Sequence, residues 1–167
     1  MATRPRGSDR DQSSGDPIAE LTTGVRLLSV SGVHFSHVLA RQLRLAPSDL
    51  TAIGHLYNDG PLTPRELATR MEMPSGTMPA LLDRVEKAGF LSRQSNPNDR
   101  RSLLISVTPA GQHAMQWVDE HFDAVLREAL EQAPAPVVEA LVTVLRELSE
   151  ALETRAQSES PLNIASS

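Results

Sequence analysis

Apolar residues recur along most of the chain at alternating intervals of three and four, the spacing that places them on one face of a helix. This pattern predicts six helices. The first begins at Asp16-Pro17, an N-cap followed by a proline at the first helical position. The first and last helices carry the longest apolar stripes, with heptad spacing. These stripes are Ile18, Leu21, Val25, Leu28, Gly32, Phe35 and Leu39, and Val138, Leu141, Leu145, Leu148 and Leu152.

The middle of the chain has the clearest local signals. Thr63, Pro64 and Glu66 have the spacing of a capping box with proline in its preferred place, and they predict the start of the third helix. After a short turn, a fourth helix is expected to begin near Ser75. Gly89 is expected to end that helix in the left-handed conformation.

The periodicity then changes from about 3.6 to 2, which predicts strands at residues 90–94 and 103–107. The loop between them contains Asn96-Pro97-Asn98-Asp99, a run of residues typical of turns. A helix, a turn, a second helix and a hairpin follow one another in the order of a winged helix-turn-helix. The predicted fold is therefore mainly α with a small β-hairpin, flanked by N- and C-terminal helices.

Charge and composition exclude several classes of function. Residues 61–109 carry seven basic and five acidic side chains, a net of +2 in a chain whose net charge is −5. The absence of cysteine excludes disulfides, thiolate catalysis and cysteine–zinc sites. No apolar run approaches the roughly 20 residues that span a bilayer, so we expect no membrane partner and a cytoplasmic protein. No nucleophile–base pair or phosphate loop appears, so we expect neither an enzyme nor a cofactor.

A helix-turn-helix places its second helix in the major groove of DNA, with the N-terminal part of that helix deepest. In this chain that part includes Ser75, Gly76 and Thr77, which we expect to contact double-stranded DNA. The helix N-terminus also presents free N–H groups to phosphate. Arg65 and Arg84 are candidates for contacts to the DNA backbone.

The hairpin supplies three further arginines. A narrow minor groove attracts inserted arginine, so Arg93, Arg100 and Arg101 are predicted to bind DNA there. Asp99 lies beside them. We interpret it as a brace that holds one guanidinium through a bidentate pair, although it is also a suitable turn residue after Asn98.

Several runs within residues 61–111 together resemble the MarR family of bacterial transcription regulators. These runs are residues 62–68, 77–91, 99–102 and 107–111. The resemblance implies a homodimer on a pseudo-palindromic operator, with the fourth helix in the major groove and the hairpin in the minor groove. Asp99 and Arg101 match the family's Asp-x-Arg. The chain departs from the family at Pro79 and Ala80, which remove expected contacts and shift weight to the hairpin and to DNA shape.

The resemblance also implies an organisation in which the first, fifth and sixth helices form the dimer interface. From the residues alone, their apolar stripes pack within one chain, against a second copy, or partly each way. The predicted segments are a disordered polar tail (1–15), an N-terminal dimerisation helix (16–46), the winged helix-turn-helix DNA-binding domain (47–109), C-terminal dimerisation helices (110–157) and a frayed tail (158–167). The first tail is either solvated or a basic arm that reaches a DNA groove.

In the family, a small phenolic or lipophilic ligand binds between the dimerisation helices and the winged domain and weakens DNA binding. The residues expected to border this crevice are His34, His37, His55, His113 and Trp117. The histidines are compatible with hydrogen bonds to an acidic ligand, a pH switch or zinc, and equally with ordinary core or surface roles. Their spacing includes no compact His-x-x-x-His pair, so we predict no metal site.

The sequence therefore predicts a DNA-binding transcription regulator, a repressor released by a small-molecule ligand. The alternative is a winged-helix DNA-binding protein that is constitutive or responds to metal or pH. A winged helix used only for protein contacts is a further class. The hairpin arginines argue against it, and a loss of binding as salt rises would distinguish the two.

Overall fold

The computed structural model describes residues 16–97, residue 99 and residues 102–158. The described chain is mainly helical with one antiparallel hairpin, which confirms the predicted fold class. The elements are α1 (Pro17–Gln42), α2 (Pro47–Asp59), α3 (Pro64–Arg70), α4 (Met78–Lys87), β1 (Leu91–Ser95), β2 (Leu103–Val107), α5 (Pro109–Ala129) and α6 (Ala135–Ser158). The chain divides into two compact units, one that ends at Val118 and one that begins at Asp119.

The helix starts follow from local chemistry. The Asp16 carboxylate accepts a hydrogen bond from the Ile18 amide (3.0 Å), so it is the N-cap of α1. At α3 the Thr63 amide donates to Glu66 Oε2 (2.7 Å) and the Glu66 amide donates to Thr63 Oγ1 (3.2 Å), which confirms the capping box. The hydrogen bonds from Thr63 lower the pKa of Glu66.

The helix ends follow local chemistry only in part. Gly89 has φ 85° after α4, as predicted. Arg44 (φ 58°) and Glu72 (φ 49°) adopt the same left-handed region after α1 and α3, although neither is glycine. At each of these two turns, the amide of the next residue bonds back to a helical carbonyl five positions earlier, at 2.9 Å. That bond closes the helix and holds the unfavourable conformation.

The recognition element starts later than predicted. Helix α4 begins at Met78 rather than near Ser75, and residues 75–77 form a turn before it. Because Pro79 is then the second residue of the helix, its missing N–H falls where no intrahelical partner exists. The buried face of α4 is as expected and consists of Met78, Leu81, Leu82 and Val85.

The hairpin is short and attached to the helices. Strands β1 and β2 pair antiparallel, from Leu91 opposite Val107 to Ser95 opposite Leu103. The predicted first strand, 90–94, was one residue early. The Phe90 amide instead bonds to the last turn of α4. Leu62, just before α3, exchanges two backbone hydrogen bonds with Ile105 (3.2 and 2.8 Å), so the hairpin is fixed to the start of α3.

The core of the first unit is aliphatic and lies between α2, α3, α4 and the hairpin. Ile53, Leu67, Val85 and Ile105 are completely buried there, one from each of four elements. Burial of side chains from every element fixes the helix-turn-helix to the hairpin as one body.

The terminal helices differ from this core, because much of their apolar surface is exposed. In α1, Ile18 is 67% exposed and Leu28 is 63% exposed. In α6, Val142 and Leu152 are more than half exposed. None of the helices within the described segments is long and apolar enough to cross a membrane.

Candidate DNA-binding surface

The turn before α4 is the part of the helix-turn-helix predicted to enter the major groove. Ser75, Gly76 and Thr77 are all exposed, and Arg65 is exposed on α3. The Thr77 hydroxyl donates to the Pro74 carbonyl (2.8 Å), so its proton is used within the turn and its oxygen keeps its capacity as an acceptor. The contacts of these four residues with DNA remain predictions.

Arg84 already has a partner within the protein. Its Nε and Nη2 donate to the two oxygens of Asp49 on α2, at 3.1 and 2.5 Å, and its Nη1 donates to the Ala80 carbonyl at 3.4 Å. The hydrogen bond with Asp49, and then the charge of Asp49, raise the pKa of Arg84. The pair is bidentate, which fixes the direction of the guanidinium as well as its distance.

Arg93 is paired as well. Its guanidinium donates to Asp83, and its Nε lies 3.4 Å from Glu86 Oε2. The Arg93 amide also donates to Glu86 Oε1 (3.2 Å). Both carboxylates belong to α4, the predicted recognition helix. Arg93 therefore connects α4 to β1, the first strand of the hairpin of residues 91–107, which we call the wing.

The tip of the wing is described only in part. Arg100 and Arg101 lie outside the described residues, and so does Asn98. Asp99 is exposed, its amide donates to the Asn96 carbonyl (3.3 Å), and its own carbonyl accepts from the Ser102 amide (3.0 Å). These bonds form the turn. The interpretation of Asp99 as a brace for an arginine stays a prediction.

The residues predicted to border a ligand crevice all belong to the first unit. His34 and His113 are exposed, whereas His37, His55 and Trp117 are half-buried. His55 Nδ1 lies 3.8 Å from Asp59 Oδ2, on the same face of α2. Within the described residues, no group of three or more histidine, aspartate or glutamate side chains is arranged to hold a metal ion.

Two buried features of the first unit were missed by sequence reasoning. Asp49 at the third position of α2 has the sequence signature of a capping residue, and nothing local indicates its partner 35 positions away. Gly111 in α5 is buried, and a Cβ there would lie 2.3 Å from the Phe90 carbonyl oxygen. Local sequence patterns could reveal neither feature, since each depends on a neighbour from a distant element of the fold.

The chain is similar to known transcription regulators. Residues 45–103 match the model of the MarR family. The chain is 40% identical over 80 residues to the uncharacterized HTH-type transcriptional regulator YcgE of Bacillus subtilis, over 48% of this chain and 52% of that one. It is 35% identical over 72 residues to the multiple antibiotic resistance protein MarR of Salmonella typhimurium, over 40% of this chain and 50% of that one. The matches thus span about half of these relatives.

Solved structures match more of the chain, at lower identity. A MarR family protein from Bacillus stearothermophilus superposes with a TM-score of 0.72, at 22% identity, over 82% of this chain and 96% of that one. The transcriptional regulator Tm0710 from Thermotoga maritima gives 0.68, at 20% identity, over 84% and 99%. At these identities the likeness concerns the fold. The sequence matches show that residues 45–103 are similar to the MarR family domain, and the solved structures show that the chain shares the fold of MarR proteins.

Proposed function

We propose that the protein is a transcription regulator that binds a specific DNA sequence. The observation that carries the proposal is the exposed turn of residues 75–77 at the start of α4, a helix that Asp83 and Glu86 tie to the hairpin through Arg93. A helix of a size that fits the major groove is thus joined to a hairpin whose loop sequence, with Arg100 and Arg101, suits the minor groove. The family match supports the same use.

The proposed active form is a homodimer on a pseudo-palindromic operator. It is supported by the exposed apolar residues of α1 and α6, which a solvated monomer would leave in water. A second copy of the chain is the simplest cover for stripes with heptad spacing. Two-fold symmetry would then place two α4 helices on successive half-sites.

We further propose that the regulator is a repressor that a small phenolic or lipophilic effector releases from DNA. The resemblance to regulators that include an antibiotic resistance protein supports this proposal. The half-buried His37, His55 and Trp117 offer polar and aromatic contacts for such a ligand. A ligand bound there would weaken DNA binding because it prefers the DNA-free arrangement of the protein. The size of the effect is set by the difference between its affinities for the DNA-free and the DNA-bound arrangements.

The experiment is a fluorescence anisotropy titration with two duplexes, one selected from random DNA by the protein and one with its bases scrambled. We expect the selected duplex to bind at least about a thousandfold more tightly at physiological salt, and both affinities to fall as salt rises. Sedimentation of the complex should give two chains per duplex. Equal binding of the two duplexes, or binding insensitive to salt, would contradict the proposal.

The effector is tested on the same complex. Salicylate and a set of apolar phenols are added to the preformed complex with the selected duplex, and anisotropy reports release. We expect at least one compound to raise the apparent Kd for DNA while leaving the dimer intact. Binding unchanged by all of them would favour a constitutive regulator over one released by phenols.

A further inference from the structure

Asp49 is the one buried charged residue in the part of the chain that the structure describes. Its side chain is 4% exposed. Oδ1 accepts from Arg84 Nη2 (2.5 Å), and Oδ2 accepts from Arg84 Nε (3.1 Å) and from the Ala46 amide (3.3 Å). The carboxylate therefore ties three things together, namely the start of α2, the chain before it and the recognition helix α4.

The geometry of this pair restrains α4 in a way that apolar packing does not. The buried stripe of Met78, Leu81, Leu82 and Val85 fixes which face of α4 points inward, but aliphatic contacts tolerate small rotations and slides. A planar guanidinium held at two nitrogens tolerates neither, because both hydrogen bonds depend on direction. The clamp lies in the last turn of α4, whose first residue, Met78, directly follows the turn of residues 75–77.

Arg84 has a strong reason to stay on Asp49. If the guanidinium moved to a DNA phosphate, a nearly buried carboxylate would keep only the Ala46 amide, and burial of an unpaired charge is costly. Arg84 itself is about half exposed (53%), so its hydration is already partly satisfied where it lies. A phosphate contact would replace one charge-assisted pair by another and leave Asp49 unpaired.

A second clamp acts on the other side of the same helix. Asp83, next to Arg84 in the chain, pairs with Arg93 of β1, and Glu86 pairs with the same arginine. Helix α4 is thus tied to α2 through Arg84 and to the wing through Arg93. Both arginines, which the sequence assigns to DNA, are thus engaged with carboxylates in the protein alone.

We propose that Asp49 is a positioning residue for DNA recognition, which holds Arg84 and thereby sets the orientation of α4, while Arg84 stays on Asp49 in the complex instead of neutralising a phosphate. The proposal rests on the proposed function. Under this proposal, selectivity between DNA sequences can change without a loss of neutralised phosphates, whereas a phosphate contact by Arg84 would make the two change together. Asp49 governs the selectivity and touches no DNA.

The test measures both quantities for four proteins, which are the parent, Asp49→Asn, Arg84→Lys and the control Asp119→Asn. Asp119→Asn makes the same change of charge as Asp49→Asn at an exposed site on α5, outside the matched domain. Arg84→Lys keeps a cation for phosphate but cannot form the bidentate fork. Circular dichroism and thermal melts confirm that each variant is folded at the titration temperature.

Each protein is titrated with the selected and the scrambled duplex over a salt series. We expect Asp49→Asn and Arg84→Lys to lower the selectivity ratio by about tenfold, roughly the cost of one mismatched base pair. The slope of log K against log salt should become no shallower in either variant. Asp49→Asn should steepen it by up to about 0.9, since the released Arg84 can reach phosphate. Asp119→Asn should keep the parental ratio.

The opposite pattern would overturn the proposal. If Arg84 neutralises a phosphate, Arg84→Lys keeps the parental ratio and slope, and Asp49→Asn leaves the ratio unchanged. If the parent selects its duplex and the variants keep the parental ratio, the proposed role of Asp49 is refuted while the proposed function stands. A parent that binds both duplexes equally contradicts the proposed function first, and the role of Asp49 with it.

Discussion

Gly111 offers a stability test of the junction between α5 and the wing. It is the third residue of α5 and is buried. A Cβ at this position would lie 2.3 Å from the Phe90 carbonyl oxygen and 2.6 Å from Val107 Cγ1. The Phe90 oxygen also accepts the Thr108 amide (3.0 Å), which holds it in place. The start of α5 can therefore lie this close to the base of the hairpin only because residue 111 has no side chain.

The size of the effect follows from two opposing contributions. Alanine in a helix is favoured over glycine by up to about 1 kcal/mol. Overpacking costs about 1–3 kcal/mol, and the upper end applies here because one clashing atom belongs to the backbone. We therefore expect Gly111→Ala to lower the free energy of unfolding by about 1–2 kcal/mol, which corresponds to a fall in Tm of about 2–8 °C.

The matched control is Gly54→Ala in α2. A Cβ at Gly54 meets only Met115 Cε, at an ordinary 3.7 Å, so this variant should gain the helix propensity and raise stability by up to about 1 kcal/mol. Urea unfolding followed by circular dichroism at 222 nm, at one protein concentration, measures both. A Gly111→Ala protein as stable as the Gly54→Ala protein would refute the close approach of α5 to the hairpin.

Three further predictions concern the wing, a helix cap and the tail. Arg101→Ala is expected to weaken DNA binding and to flatten its salt dependence without lowering Tm, and unchanged titrations would count against its place in the minor groove. Thr63→Ala should cost about 1 kcal/mol at neutral pH. The Thr63 amide, which alanine keeps, and the Thr63 hydroxyl, which alanine removes, both lower the pKa of Glu66, so the part of the cost due to the hydroxyl should vanish as the pH falls through that lowered pKa; a pH-independent cost in urea unfolding would contradict this. Removal of residues 1–15 should leave DNA affinity nearly unchanged, and a large loss would indicate a DNA-binding arm.

The parts of the fold that the sequence predicted correctly are those governed by neighbours in the chain. Thr63 and Glu66 satisfy each other's backbone groups three residues apart, and Gly89 is the residue type best suited to its left-handed φ. Arg44 and Glu72 escaped prediction because their conformation is imposed by the turns they close, against the preference of their own side chains. The start of α4 was placed early because the turn before it continues through residues 75–77, as far as the first buried residue, Met78.

The candidate surface was predictable in outline and not in its electrostatics. Apolar periodicity correctly identified the buried face of α4, and so the face that is left to contact DNA if the prediction holds. It gave no means to see that Arg84 and Arg93 face carboxylates, because Asp49 lies 35 positions from Arg84 and Asp83 lies 10 from Arg93. Ion pairs between elements depend on the packed arrangement, which local patterns do not encode.

Selection from a pool of random duplexes by the purified protein, read by sequencing, tests the central claim most directly. A two-fold dimer that reads DNA with α4 and the wing should enrich a pseudo-palindrome whose half-sites are centred about 10 base pairs, one helical turn, or a multiple of that apart. The enrichment should persist at physiological salt. A pool that stays random after repeated rounds, although the protein is folded and dimeric, would contradict the account.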